Sequence, residues 1–529
     1  MKKFYSPITL SAVAFAFFIG ADATAQVSAK NVTAKKKPLS ETDLKRWSDL
    51  DLEKDSVPGM SVDRAYEFLK GKKGKTVIVA VVDSGVDIEH EDLQGRIWTN
   101  KKEIAGNGKD DDNNGYVDDV NGWNFLGNTV NETLEITRMI KKNDTKAPGY
   151  AKMKADYDEQ YKEATESLKV IAKILEADAT IRKETATENY TADELKALKS
   201  NDSTVNAMKP RILNFLNRMS KPEFDKYIQA GKKRYESQVS YNLNVDFDGR
   251  KSATGDDPEN INAKFYGDNH VYGPDKEDAS HGTHCAGIIT QIRGNGKGGD
   301  GVAENVEIMS VRAVPNGDEY DKDVALAIRY AVDNGAKVIN GSFGKSYSPH
   351  PEWVFDAIKY AASKDVLIVH AAGNDGHDID LEDNKNWPND SEKQATEISD
   401  NLITIAALNN TFNESMVAAF SNYGADNVDL FSPGSKIYAT IPDNKYDFKQ
   451  GTSMAAPNVA GVAALIRSYY PSLTASQVKQ ILMNSGVATD MTLTFGNKHE
   501  KRKLAEACRS GKIVNAYNAL VMAEKMAKK

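Results

Sequence analysis

The chain has 529 residues, 27% of them charged and 40% hydrophobic, with a formal net charge of −8. This mildly acidic balance offers no basic surface for nucleic acid. Two cysteines, Cys285 and Cys508, exclude a disulfide framework, and no CxxC pair points to zinc. The length suits two to four domains, or one large α/β domain with insertions.

The first 25 residues read as an export signal. Lys2 and Lys3 are followed by an apolar run, Ile8 to Ile19, too short to span a bilayer, and by the small-x-small site Ala23-Thr24-Ala25. The mature chain is expected to begin at Gln26, exported to the periplasm or beyond. No Cys follows the site for a lipid anchor, and no later run is apolar enough for a membrane helix. Residues 26–75 are charged and mixed. They read as an N-terminal arm with Trp47, Leu50 and Leu52 laid on a surface and a helix over Ser61–Lys70.

Thr76 to Val82 is a continuous β-branched run, the pattern of a parallel strand buried on both faces. It ends in Asp83-Ser84-Gly85. There Asp83 is either a turn former or a functional carboxylate at a strand's carboxyl end. Asp110-Asp111-Asp112-Asn113-Asn114-Gly115-Tyr116-Val117-Asp118 places oxygen ligands at alternate positions. The candidates are Asp110, Asp112, Asn114, the Tyr116 carbonyl and Asp118. This is the first part of an EF-hand-like calcium loop. The bidentate Glu of such a loop is missing, since Asn121 stands at its place. The loop is a structural Ca2+ site or a solvated acidic turn.

From Leu134 to Tyr241 the composition turns to Lys, Glu and Ala. Tyr157, Tyr161, Ala164, Leu168, Ile171 and Leu175 repeat at helical spacing, and Thr191-x-x-Glu194 and Ser220-x-x-Glu223 are capping boxes. Three to five helices are expected, forming an all-helical insertion over 135–241. Beyond it, Ser280-His281-Gly282-Thr283-His284-Cys285 opens a helix of small residues. His281 is a candidate general base; one Cys with two His lacks the further ligands of a zinc site. Strands over Glu307–Val314, Lys337–Asn340, Val366–His370 and Leu402–Leu408 alternate with helices over Val324–Asn334 and Glu352–Ser363. The fold class is α/β, a parallel sheet with helices on both faces.

Ala371-Ala372-Gly373-Asn374 leaves a strand, and Asn374 is a turn residue or an amide donor to an anionic intermediate. Gly451-Thr452-Ser453-Met454-Ala455-Ala456-Pro457 opens an apolar helix. Ser453 is a helix cap or a nucleophile among free backbone N–H groups. Pro457 is expected early in that helix, where its missing N–H is harmless.

The four motifs occur in one chain and in one order, and with them the chain resembles the subtilisin-like serine proteases, the subtilases. The likeness covers roughly Leu50–Asn128 and Asp246–Tyr470. It implies Ser453 as nucleophile, His281 as general base and acid, Asp83 as its orienting carboxylate and Asn374 as oxyanion donor. It also implies that Ser342-Phe343-Gly344 pairs with substrate backbone and that Ala371-Ala372-Gly373 walls the pocket for the residue before the cut. Cys285 then packs beneath the histidine. The expected partners are peptides or proteins, and the chemistry needs no cofactor. Two features depart from compact subtilases: the long Asp83–His281 separation, and an arm too short for the usual inhibitory prodomain. The competing readings are a quiet scaffold whose helical insertion binds a partner, and a latent zymogen.

Overall fold

The computed structural model describes residues 26–30, 32–35, 37–147, 149–393 and 396–529; the expected export signal at 1–25 lies outside them. Among the described residues nine strands form the main sheet. They are β1 (Val77–Asp83), β2 (Gly122–Asn124), β3 (Val306–Arg312), β4 (Val338–Gly341), β5 (Leu367–Ala371), β6 (Leu402–Leu408), β7 (Leu430–Pro433), β8 (Val487–Ala488) and β9 (Lys512–Ile513). Their order is β8-β9-β7-β6-β5-β4-β1-β3-β2. All neighbours are parallel except the β8–β9 edge pair.

The β1 run fills both faces. Val79 and Val81 enter one hydrophobic core, Ala80 and Val82 the other, each at most 1% exposed. Each buried Val contributes about 1.5–3 kcal/mol. The second core is covered by α8 (Asp321–Asp333) and α9 (Pro351–Ser363). The first is covered by α7 (Ser280–Thr290) and α10 (Thr452–Tyr469), with α11 (Ala475–Ser485) and α12 (Ala516–Ala527) beyond them. Alanines along α10 let it lie close across β4 to β7. A Cβ on Gly461 would come within 2.5 Å of Val302 Cβ.

Residues 26–75 are built into the first core. Trp47 is 1% exposed and its indole N–H donates to the carbonyls of Ser435 and Lys436. Leu52, Val57 and Met60 are buried with it, and α1 (Val62–Leu69) packs on α12. The sequence suggested surface contacts because its apolar residues are scattered among charges. The charges instead pair along the rim, as in Arg46–Asp63 and Arg64–Glu53. Val27 and Asn518 clasp each other, amide to backbone, at 2.9 and 3.0 Å.

The segment between β2 and α7 includes, among the described residues, the helices α2 (Glu135–Lys142), α3 (Tyr150–Thr185), α4 (Ala192–Ala197), α5 (Ser203–Leu216) and α6 (Lys221–Ser237). Both capping boxes form, at Thr191 and at Ser220. Ile171, Ile174, Ile181, Tyr190, Val205, Ile212 and Phe224 make a core of their own. A second cluster joins Ile136, Met153 and Tyr157 to Leu243, with Tyr347 of the main body against it. The ends of the segment meet: Leu134 N donates to Asn242 O at 2.8 Å, and Asn242 Nδ2 donates to Glu132 O at 2.9 Å. No helix of the described residues is long and apolar enough to cross a membrane.

Candidate active site

The carboxyl ends of β1, β4 and β5 and the amino ends of α7 and α10 converge on one cleft. Asp83 ends β1 and is 1% exposed. Its Oδ1 lies 2.7 Å from His281 Nδ1, on the first turn of α7. Gly282 permits this approach, since a Cβ there would sit 2.2 Å from the Gly85 carbonyl. The carboxylate fixes the ring by accepting a hydrogen bond from Nδ1–H, which leaves Nε2 as the free basic nitrogen.

Ser453 is the second residue of α10, so its N–H has no partner within the helix. Its hydroxyl donates to Ser342 O at 3.1 Å. Pro457 lies inside α10 rather than in its first turn. Lacking an N–H, it leaves the Ser453 carbonyl four residues earlier without its helical partner. That carbonyl accepts instead from Ser342 Oγ at 2.8 Å and from the Cys285 thiol at 3.5 Å. The proline therefore frees a backbone group that ties the serine turn to β4 and α7.

Asn374 leaves β5 after Gly373, whose φ of +99° suits glycine. Thr452 N donates to Asn374 Oδ1 at 2.8 Å and Thr452 Oγ1 adds a bond at 3.2 Å. A backbone N–H can face only the oxygen, so the amide orientation is fixed. Asn374 Nδ2 is left as a donor beside the start of α10.

Burial shapes the neighbours. The Cys285 thiol is fully buried and held well above its usual range by desolvation, so it packs as an inert group. His284 is pushed down to about 3 by burial and then by Lys449, and stays neutral. His370 on β5 is likewise lowered to about 4 by burial, against a bond to Phe343 O.

A cavity of about 400 Å3 opens beside Ser453. Phe343, Gly344, Ala371, Gly373 and Asn374 line it. Ser342 is joined to Ser453 by hydrogen bonds and Ala372 is buried behind the wall. Sequence reading missed the rest of the lining. Asn386 closes one side, its Nδ2 on Ala371 O at 3.1 Å. Leu134, Ile136 and Gln160 of the helical segment close another, with Tyr347 and Asp318.

A model of the subtilase family matches residues 74–505 of this chain. The chain belongs to the subtilase family. Thermitase of Thermoactinomyces vulgaris is 37% identical over 241 residues, 45% of this chain and 74% of that protein. A thermophilic serine proteinase of Bacillus sp. (strain AK1) is 40% identical over 190 residues, 36% of this chain and 43% of that protein. The match therefore spans less than half the length of the Bacillus protein. Among solved structures, a protease of Pseudoalteromonas arctica overlays with a TM-score of 0.46 at 21% identity, covering 90% of this chain and 97% of that one.

The acidic loop of this subtilase brings a further carboxylate, Glu103, beside two of the expected ligands. Oxygens of Glu103, Asp110 and Asp112 lie within 4.8 Å of one another. Asn114 Oδ1 accepts from Tyr116 N, both Asp118 oxygens accept from Asn107 N and Gly108 N, and the oxygens of Asp110 and Asp112 accept from Asn114 N, Gly115 N and Asn100 Nδ2. Tyr116 packs its ring against Trp123, Phe125 and Tyr330. Glu103 Oε2 is buried without a hydrogen-bond partner. An orphaned carboxylate oxygen beside two aspartates fits a hard divalent cation. Glu103 escaped the sequence reading because the calcium-loop template runs forward from Asp110.

Proposed function

We propose that this subtilase is an exported serine endopeptidase working through an acyl-enzyme. The observation that carries the reading is the 2.7 Å contact between Asp83 and His281, set beside a serine whose N–H is free at a helix start. The Ser453 hydroxyl turns from the Ser342 carbonyl toward His281 Nε2, gives up its proton there and attacks the substrate carbonyl. The negative oxygen of the tetrahedral intermediate accepts from Ser453 N–H and Asn374 Nδ2, donors already in place. Collapse expels the amine, which takes its proton from His281, and water reverses the sequence to release the acid. Asp83 stays ionised throughout and holds the ring.

Ser342-Phe343-Gly344 supports an added substrate strand. Glu103, Asp110 and Asp112 would hold a structural Ca2+, which neutralises their mutual repulsion and supplies no chemistry to the reaction. For export, residues 1–25 serve as the cleaved signal, and amino-terminal sequencing of the secreted protein should begin at Gln26. A fluorophosphonate probe tests the catalytic reading: labelling at Ser453 supports it, and no labelling from pH 6 to 9 favours a quiet scaffold. Labelling only after proteolytic trimming would identify a zymogen.

A further inference from the structure

One carboxylate in the cleft has no task in the reaction. Asp318 follows β3 and lines the same cavity as Ser453. Its Oδ2 accepts from Glu135 N at 2.8 Å, and its other oxygen takes no hydrogen bond among the described residues. The nearby cations are already spent. Lys345 Nζ reaches Glu135 Oε2 at 2.9 Å, Asp321 Oδ1 at 2.9 Å and Glu319 O at 2.8 Å, which uses all its donors. The terminal nitrogens of Arg138 go to Thr133 O, Glu135 Oε2 and backbone oxygens of Asp318 and Glu319.

Charge follows the same pattern. Glu135, Asp318 and Asp321 face only Lys345 and Arg138, and Asp375 adds a carboxylate across the cavity. Burial pushes Glu319 up to about 8 and also raises Asp318, the latter opposed by Arg138, by the hydrogen bond from Glu135 N and by Lys345. Among the residues that line the cavity itself, two carboxylates, Asp318 and Asp375, stand against one cation, Lys345, and one Asp318 oxygen takes no hydrogen bond among the described residues. Leu134, Ile136 and Gln160 narrow it, which limits solvent screening of that charge.

We propose that this cavity, in the peptidase reading above, is a subsite for a cationic group of the substrate, an ammonium or guanidinium received by Asp318. Two sources supply that chemistry: a Lys or Arg side chain, or the free α-amino end of a peptide. A neutral side chain of the same size would leave the carboxylate unpaired, which is a basis for discrimination.

The test uses full-length Ser453→Ala protein, which binds peptides without cutting them, and equilibrium fluorescence anisotropy. The probes are N-acetylated hexapeptides carrying Lys, Arg or norleucine at each position in turn, and the norleucine peptides without the acetyl group. Tenfold or tighter binding of Lys and Arg peptides over norleucine at one position identifies a side chain. The same gain from a free amino end, erased by acetylation, identifies a chain terminus. Either result supports the proposal, provided that Asp318→Asn in the Ser453→Ala background collapses the ratio below twofold and Asp318→Glu restores it. Equal binding of charged and neutral peptides, or a ratio that survives Asp318→Asn, overturns it. Fluorophosphonate labelling of the wild-type serine is scored separately. A cation preference without labelling removes the peptidase reading and keeps the subsite; labelling without a preference does the reverse.

Discussion

Glu135→Gln tests whether α2 is held to the cleft wall by charge. Glu135 is buried between Arg138, at 2.6 Å, and Lys345, at 2.9 Å. Burial alone would raise its pKa, but the two cations and their hydrogen bonds overcome this and lower it from 4.5 to about 2. That depression corresponds to about 3 kcal/mol favouring the ionised, docked state. Since the folded value is the lower one, this stability is present above pH 4.5 and is lost as pH falls toward 2. The Gln variant keeps one acceptor, so about 3 kcal/mol is a ceiling, equivalent to about a hundredfold in local opening. Amide hydrogen exchange across Glu135–Lys142 is the assay, with residues of β5 as an internal reference. The variant should exchange faster by one to two decades at pH 7 (about 1.4 kcal/mol per decade), and the gap to wild type should narrow between pH 5 and pH 3. Equal exchange at pH 7, or a gap independent of pH, would refute the argument that these charges dock the helix.

Ser453→Ala should abolish peptide turnover and leave the melting temperature within about 1 °C, since only one half-buried hydroxyl bond is lost; residual hydrolysis well above the solvent rate would contradict the nucleophile assignment. Asn374→Ala should lower kcat by about 10²–10³ with little change in KM, the magnitude known for a donor of this kind in subtilisin. A change in KM alone would make it a binding residue. A chelator should lower the melting temperature, and Glu103→Gln combined with Asp110→Ala should reproduce the shift; identical melting with and without chelator rules out a stabilising cation. Replacing residues 167–233 by a short Gly/Ser turn removes the distal helical core and spares the part of α3 that lines the cleft. Peptide turnover should stay within about tenfold, or about 1.4 kcal/mol of barrier, whereas insoluble protein would mean that the distal core supports the main body.

Much of the sheet was legible because its strands are buried on both faces. Unbroken runs such as Thr76–Val82 and Leu402–Leu408 have no other ready interpretation in an α/β chain, and their bounds differ little from β1 and β6. The short strand β7 was not legible, because its burial comes from neighbours distant in the chain. The same holds for the hairpin Ile437–Ile441 against Lys445–Lys449, whose short strands mix apolar and polar residues without an unbroken β-branched run. The motifs around Asp83, His281, Asn374 and Ser453 could be found because each chemical group sits at an element end with small residues beside it. Asp318, Asn386 and Gln160 carry no such local mark. They reach the cavity only through the way the loop after β3, the loop after β5 and the helical segment meet. The Pro457 expectation failed in an instructive way. Helix periodicity placed the element, but only its observed first residue, Thr452, shows which carbonyl the proline leaves free.

The clasp between Val27 and Asn518 spans 491 positions of sequence, Asn515 to Ser61 spans 454, and Trp47 to Ser435 spans 388. The first core is therefore closed by pairing the beginning of the chain with its last helices. Contacts of such separation form late, because the intervening chain must first be made and ordered. During synthesis the amino-terminal arm has no surface to dock on until α10 and α12 exist. The cleft, which takes Ser453 from the start of α10, cannot assemble before that helix has been made. Until α10 and α12 have been made, the first core therefore stays open along the arm.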